Sequence, residues 1–208
     1  MMSNVELDNL IKQIRKTARK EGMNPVTIEK LKQIPSVPNE LIDKYIGSNE
    51  LLAELILENE RSQLREIFFA YENDQDNAID LLFKVSRDIA DNFHNLSPVL
   101  TNQYQELYPE IYKKHFEQKA NFVYDRISFN IQRGIWQELY RDDVSTELVA
   151  RRYISRLIDL HNPENFPPEK FSFSVVFIEM FENFVNSIAT EKGLQYWEEK
   201  KKDFEIDF

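Results

Sequence analysis

The stretch VTIEKLKQIPSVPNELIDKYIGSNELL, Val26–Leu52, decides how the chain is read. Ile28, Leu31 and Ile34 recur at helical spacing behind Thr27, a residue type that caps helix N-termini. Pro35-Ser36-Val37-Pro38 reads as a tight turn. From Pro38 or Asn39 a second short helix is expected, with Leu41, Ile42, Tyr45 and Ile46 as its apolar face. Gly47 is expected to end it, and Ser48 to cap a long helix from Asn49 to about Tyr71. Upstream, Leu7, Leu10, Ile11, Ile14 and Ala18 share one face of a helix over Val5–Lys20. Gly22 stops it, and Asn24-Pro25 connects it to Thr27. Two short helices joined by a brief turn and packed on a third form a helix-turn-helix.

Everything downstream also reads as helix. Helices are expected from about Gln75 to His94, from Pro98 to about Tyr108, and from Pro109 to Arg133, where Gly134 should break the run. Two more follow, Thr146 to Leu160 and Phe171 to Ala189, separated by HNPENFPPEKF, and an amphipathic tail covers Leu194–Lys202. The expected fold class is all-α. A helix-turn-helix domain is expected over residues 1–47 and a second helical domain over 48–208.

Composition agrees. The 208 residues are 42% hydrophobic, enough for a sizeable core, and only four are glycine. The net charge of −10 argues against a general polyanion binder. The charge is uneven, however. Residues 1–46 hold eight basic and six acidic groups, leaving eighteen basic and thirty acidic for the rest. Within Leu10–Lys32, Lys12, Arg15, Lys16, Arg19, Lys20, Lys30 and Lys32 stand against only Glu21 and Glu29. With no cysteine, disulfides and thiol chemistry are excluded. No signal-peptide-like or 18-residue apolar run is present, so a cytoplasmic chain that does not enter a membrane is expected.

No catalytic constellation emerges. His94, His115 and His161 are scattered without metal-ligand spacing, and no GxSxG, Walker or GxGxxG pattern occurs. The chain is not expected to be an enzyme, and no cofactor or metal is implied.

The chain resembles the TetR family of transcriptional regulators. In the head, VTIEKLKQIPSV matches the family's Thr-headed second helix and turn. KYIGSNELL matches the end of the recognition helix, with Tyr45 and Ile46 at its aromatic pair. Ser48, Asn49, Glu50 and Leu52 stand at the Ser-Lys-Glu-x-Leu element. In the body, RGIWQELYRDD looks like the Gly-Ile-x-x-Gly-x-x-Arg-x-Asp segment, with Gly134, Ile135, Arg141 and Asp143 in register. FVNSIATEKGL, Phe184–Leu194, is similar to the end of the family's ninth helix.

The resemblance implies a homodimer that reads double-stranded operator DNA through its head, and a body that dimerises and holds a small hydrophobic or aromatic effector. Effector binding would change the spacing of the two heads and release the operator, which suits a repressor. Thr27, Lys30, Asn39, Glu40, Lys44, Tyr45 and Asn49 are the expected DNA-binding residues. Three of the head's positions depart from the family. Glu40 replaces a small residue, Asp43 a tyrosine, and Asn49 the phosphate-binding lysine. The alternative is therefore a ligand-binding or protein-interaction module whose degenerate head no longer binds DNA. Phe83, Phe93, His94, Tyr104, Tyr112, Phe116, Phe122 and Trp136 fall on pocket-lining segments of the family, with Gln103 and Asn121 as polar candidates. Tyr153, Leu157, Phe173, Phe177, Met180, Phe181 and Phe184 are the expected dimer contacts, because Phe171–Ala189 carries more large apolar groups than one buried stripe needs.

Overall fold

The computed structural model describes residues 5–72, 75–93, 98–159, 165–167 and 169–201. Among these, ten α-helices follow in order: α1 Val5–Lys20, α2 Ile28–Leu31, α3 Asn39–Tyr45, α4 Asn49–Ala70, α5 Ala78–Phe93, α6 Pro98–Leu107, α7 Pro109–Trp136, α8 Thr146–Asp159, α9 Phe173–Ile188 and α10 Glu191–Lys200. The expected all-α class is what forms. The chain makes two compact units, Met1–Glu66 with Phe93–Lys119, and Ile67–Asn92 with Ala120–Phe208.

The first unit is built on the helix-turn-helix. Leu10, Ile11, Ile14 and Ala18 of α1 meet Leu31, Val37, Ile42 and Ile46 in one core, all nearly inaccessible to water. That core does not stop at residue 47. Leu52, Ala53, Ile56 and Leu57 of α4 and Tyr104 of α6 complete it. The Gln103 side chain also accepts the Val26 amide at 3.0 Å, so α6 closes an open backbone donor just before α2. A head needing apolar cover from α4 and α6 is what a short helix-turn-helix requires, since three small helices bury little surface alone.

Two local expectations are corrected here. The second helix does not reach Ile34: after Leu31, the Gln33, Ile34 and Val37 amides bond three residues back, at 3.0–3.2 Å. Pro35 disfavours helical geometry at the residue before it, so the chain tightens into successive turns. Nor does Gly47 end α3 in left-handed geometry. Ile46 does so in extended conformation, its amide bonding Ile42 O at 2.8 Å while its side chain enters the core. Ser48 caps α4 as expected, accepting the Leu51 amide at 3.1 Å.

The second unit centres on aromatic rings. Phe83 of α5, Phe181 of α9 and Trp197 of α10 meet with centroids 5.2–5.7 Å apart. Edge-on and tilted contacts of this kind add to the large apolar area each ring buries. Gly134 was expected to break α7, yet the helix continues to Trp136. What Gly134 supplies is room. A Cβ there would lie 2.0 Å from the Tyr140 ring.

Tyr140 begins a joint between two segments some fifty residues apart. It forms an antiparallel bridge with Ala189. Arg141 N donates to Ile188 O at 2.8 Å, and Thr190 N to Leu139 O at 2.9 Å. Thr190 Oγ1 donates to Glu138 O at 2.8 Å and also caps α10 by accepting the Gly193 amide at 3.1 Å. These are the two body segments that carried the family resemblance. Their residue types are explained by this contact: small residues where backbones meet, and a Thr that serves both sides.

Gly134→Ala and Gly193→Ala should therefore each destabilise the chain. The second would put a Cβ 2.1 Å from the Leu139 carbonyl oxygen. Overpacking of this kind costs about 1–3 kcal/mol, a fall of several degrees in melting temperature. Gly47→Ala, with nothing within 4 Å of the added carbon, should change it by less than about 0.5 kcal/mol. Thermal melts of the three variants check this; an unchanged Gly193→Ala would contradict the joint.

Candidate nucleic-acid interface

The outward face of α3 carries Asn39, Glu40, Asp43 and Lys44, because Ile42 and Ile46 are turned into the core. Of the expected DNA-binding residues, Asn39, Glu40 and Lys44 thus lie together on one exposed surface. Tyr45 is half-buried, its ring against the core and its hydroxyl outward. Lys30 is exposed on α2, where its ammonium donates to Pro25 O at 2.9 Å.

The acids on and near α3 are largely paired. The Asp43 carboxylate holds the Lys32 ammonium, tying the end of α2 to α3. Asn39 Nδ2 donates to Lys32 O at 3.4 Å across the same turn. Lys44 Nζ donates to Glu6 Oε2 of α1 at 2.8 Å, and the Tyr45 hydroxyl donates to that same oxygen. Glu40 is exposed, with no hydrogen bond or ion pair among the described residues. Hydrogen bonds from Lys44, then from Tyr45, hold the Glu6 carboxyl below its usual range, while Glu6 raises Lys44.

Thr27 and Asn49 have structural duties. Thr27 Oγ1 caps α2 by accepting the Lys30 amide at 3.4 Å. Asn49 Oδ1 accepts the Ile28 amide at 2.8 Å, and its Nδ2 donates to Glu29 at 3.4 Å. A lysine at position 49 could not accept that amide. The exchange of Lys for Asn thus trades a point charge for a second cap on a one-turn helix, where capping counts most.

Beneath the head lies a polar cluster that the sequence did not disclose. Arg15 of α1 is 7% exposed, and its Nη1 donates to Asn59 Oδ1 of α4 at 2.7 Å and to Gln63 Oε1 at 3.3 Å. Asn59 Nδ2 in turn reaches Asp8 of α1 at 3.1 Å. At the next residue, buried Glu60 takes Lys119 Nζ of α7 at 2.6 Å, with His115 Nε2 at 3.8 Å. Arg61 Nη1 lies 2.8 Å from His115 Nδ1. A guanidinium can only donate, so Nδ1 is the acceptor and the imidazole proton sits on Nε2. Helical spacing from Ile56 puts both Asn59 and Glu60 on the buried face of α4. That was the available signal.

The expected pocket residues are dispersed. Tyr104 is buried in the core of the first unit, Tyr112 packs against that core, and Phe116 is 38% exposed. In the second unit, Phe83 belongs to the aromatic core, and Phe122 is edge-on to Phe68 at 5.4 Å with the Arg126 guanidinium 5.3 Å from its ring. Trp136, at the end of α7, stands 84% exposed. Gln103 is engaged as the cap described above. Asn121 is exposed. His94 and the Phe93 side chain lie outside the described residues.

On α8 and α9 a different grouping appears. Tyr153, Met180 and Phe184, with Val149, Arg152 and Val176, line an open groove of about 350 Å³. Tyr153 and Phe184 stack edge-on within it at 4.9 Å. Phe177 and Phe181, each 1% exposed, are corrected: they face the unit's own core and are not available to a second chain. The side chains of Leu157 and Phe173 lie outside the described residues.

No protein-family profile matches the chain, and no curated protein matches it in sequence. Solved structures do match its fold. NemR of E. coli, in its reduced form, is 13% identical with a TM-score of 0.69, covering 90% of this chain and 98% of that one. A Rhodococcus sp. protein assigned to the TetR-family transcriptional regulators is 11% identical with a TM-score of 0.67, covering 89% and 99%. SmeT, solved with triclosan, is 10% identical with a TM-score of 0.66, covering 90% and 93%. At these identities the likeness is one of fold, and the fold is that of TetR-type regulators over nearly the whole chain.

The buried cluster makes stability depend on pH. Burial lowers the His115 pKa to about 4, against the opposing pull of Glu60. Burial alone would raise Glu60, but Lys119 and its other cationic neighbours bring it to about 2. Both groups bind protons more weakly folded than unfolded, so stability rises with pH across each window. The His115 share is lost as pH falls from 6.5 towards about 4, and the Glu60 share from 4.5 towards about 2. His115→Gln should flatten the stability curve in the upper window and leave the lower one in place. Denaturant titrations at stepped pH read this; an unchanged slope above pH 4.5 would contradict it.

Proposed function

We propose that this chain is a DNA-binding transcriptional regulator of the TetR type, a cytoplasmic homodimer acting as a repressor that a small hydrophobic or aromatic effector releases from its operator. The observation that carries the reading is the outward face of α3. Asn39, Glu40 and Lys44 project from a helix-turn-helix in a chain whose fold is shared over nearly its whole length with transcriptional regulators. Asparagine and glutamate can read base edges in the major groove, glutamate by accepting from a cytosine amino group. Lysine and tyrosine supply phosphate contacts, from which affinity comes.

The groove between α8 and α9 supports the dimer. A half-open apolar channel rimmed by Arg152, Arg156 and Glu179 suits a second copy of the same two helices, which an isologous interface would bring. The SmeT structure with triclosan supports an aromatic effector by analogy of fold. Among the described residues no helix is long and apolar enough to cross a membrane.

One observation favours a second reading, a head that has left DNA behind. Both Lys32 and Lys44 are answered by carboxylates of the head itself. Binding titrations against genomic duplex fragments separate the two. Under the regulator reading, Lys44→Ala weakens binding about threefold to tenfold, and the slope of log affinity against log salt falls by roughly one per head. Met180→Glu, which puts a charge in the groove, should yield a monomer with much weaker binding. Unchanged affinity in Lys44→Ala would remove the docking scheme.

A further inference from the structure

Glu6 is the one acid of α1 committed to α3. Asp8, a half-turn on, faces the other way and takes Lys12 at 2.8 Å and Asn59 at 3.1 Å. On Glu6, a single oxygen receives both donors from the last turn of α3, the Lys44 ammonium and the Tyr45 hydroxyl. Lys44 Nζ also sits 4.6 Å from the centre of the Tyr45 ring. That contact holds the ammonium beside the hydroxyl, so the two donors are arranged together rather than meeting by chance.

An ammonium and a phenolic hydroxyl converging on one anionic oxygen is the chemistry by which proteins hold a nucleic-acid phosphate. A carboxylate oxygen and a phosphodiester oxygen present the same charge sign and accept the same hydrogen bonds. The carboxyl is kept ionised by its two donors. The pair is also exposed, at 49% for Glu6 and 57% for Lys44, so water and salt screen it and it opens at small cost. A tightly buried pair could not be exchanged; this one can.

Resting on the DNA-binding reading above, we propose that Glu6 is an internal phosphate mimic. Its carboxylate fills a phosphodiester site made by Lys44 and Tyr45 in the DNA-free protein, and a backbone phosphate displaces it on binding. Glu6 then sets an upper limit on affinity, because each head must give up this contact before α3 can dock.

The test uses the full chain and a fluorescent mixed-sequence DNA duplex of about 24 base pairs, long enough for two heads on successive turns, titrated at several salt concentrations. Five proteins are compared: wild type, Glu6→Gln, Lys44→Ala, the double variant and the control Glu21→Gln. Glu6→Gln should bind about twofold to fivefold tighter per head, the range expected for freeing one partner of an exposed pair. Its salt slope should steepen by about one per head. In the Lys44→Ala background the same substitution should gain nothing, because the site it frees is no longer there. Glu21→Gln, an equal charge change on the far end of α1, should gain less than Glu6→Gln. Glu6→Gln should melt within a few degrees of wild type, since an exposed pair contributes little stability.

A wild type that binds, with Glu6→Gln no tighter, overturns the mimic and leaves the DNA-binding reading standing. An equal gain in the Lys44→Ala background overturns it too, reducing Glu6 to general repulsion. A large loss of melting temperature in Glu6→Gln overturns it in favour of a purely structural tie. Binding by none of the five overturns this proposal and the DNA-binding reading together.

Discussion

Arg15 is the constraint on which the head depends. A guanidinium that water barely reaches depends on hydrogen bonds inside the protein, each worth about 1.5–3 kcal/mol to a charged group, and in Arg15 these fall to Nη1 while Nε is buried without a partner. Asn59 and Gln63 of α4 supply the hydrogen bonds, and Glu60 supplies compensating charge. This fixes the rotation of α1 against α4. Apolar contacts alone would tolerate a small slide, since leucine and isoleucine faces are forgiving. Directional bonds from one residue of α1 to two residues a turn apart on α4 are not.

From that fixed α1 the rest of the first unit follows. Its inner face presents Leu10, Ile14 and Ala18 to the core that seats α2 and α3. The first turn of α1 brings Glu6 to the end of α3. Asp43 and Lys32 bind the two short helices to each other, and Asn49 and Thr27 close the exposed end of α2. Neither α2 nor α3 is long enough to be stable as a helix in isolation. Side-chain caps hold α2, ion pairs to Lys32 and Glu6 hold α3, and core contacts run along one side of both. The acids that looked out of place for a DNA-reading head are part of what holds it in shape.

Much of this was legible in the sequence because helices announce themselves by period and by end signals. The bounds of α1, the start of α3 and the Ser48 cap came directly from apolar spacing and cap residue types. The end of α2 was misjudged because the effect of Pro35 on Ile34 was outweighed by a matching apolar residue. Gly134 was misjudged because glycine in a helix signals a break or a close approach equally well, and only the Tyr140 ring tells which. Asn49 was read as the loss of a lysine, when its side chain had acquired a capping role. Polar residues on a buried helix face, such as Glu60 and His115, are the hardest to see. Their partners come from α1 and α7, and nothing in the spacing of α4 predicts that those partners exist. The aromatics of the body are legible only as large apolar groups: ring size indicates burial, but not whether the neighbour is core, a ligand or a second chain.

The account rests on α3 being a reading helix despite its acids. The most direct measurement is selection of bound fragments from the host's own genomic DNA at low salt, followed by titration of the best fragment across salt concentrations. The account predicts a two-fold-symmetric site with half-sites about one helical turn apart, bound with affinity that falls steeply as salt rises. Recovery of nothing above background, or of fragments with no shared sequence, would contradict it and leave a TetR-like fold whose head serves another purpose.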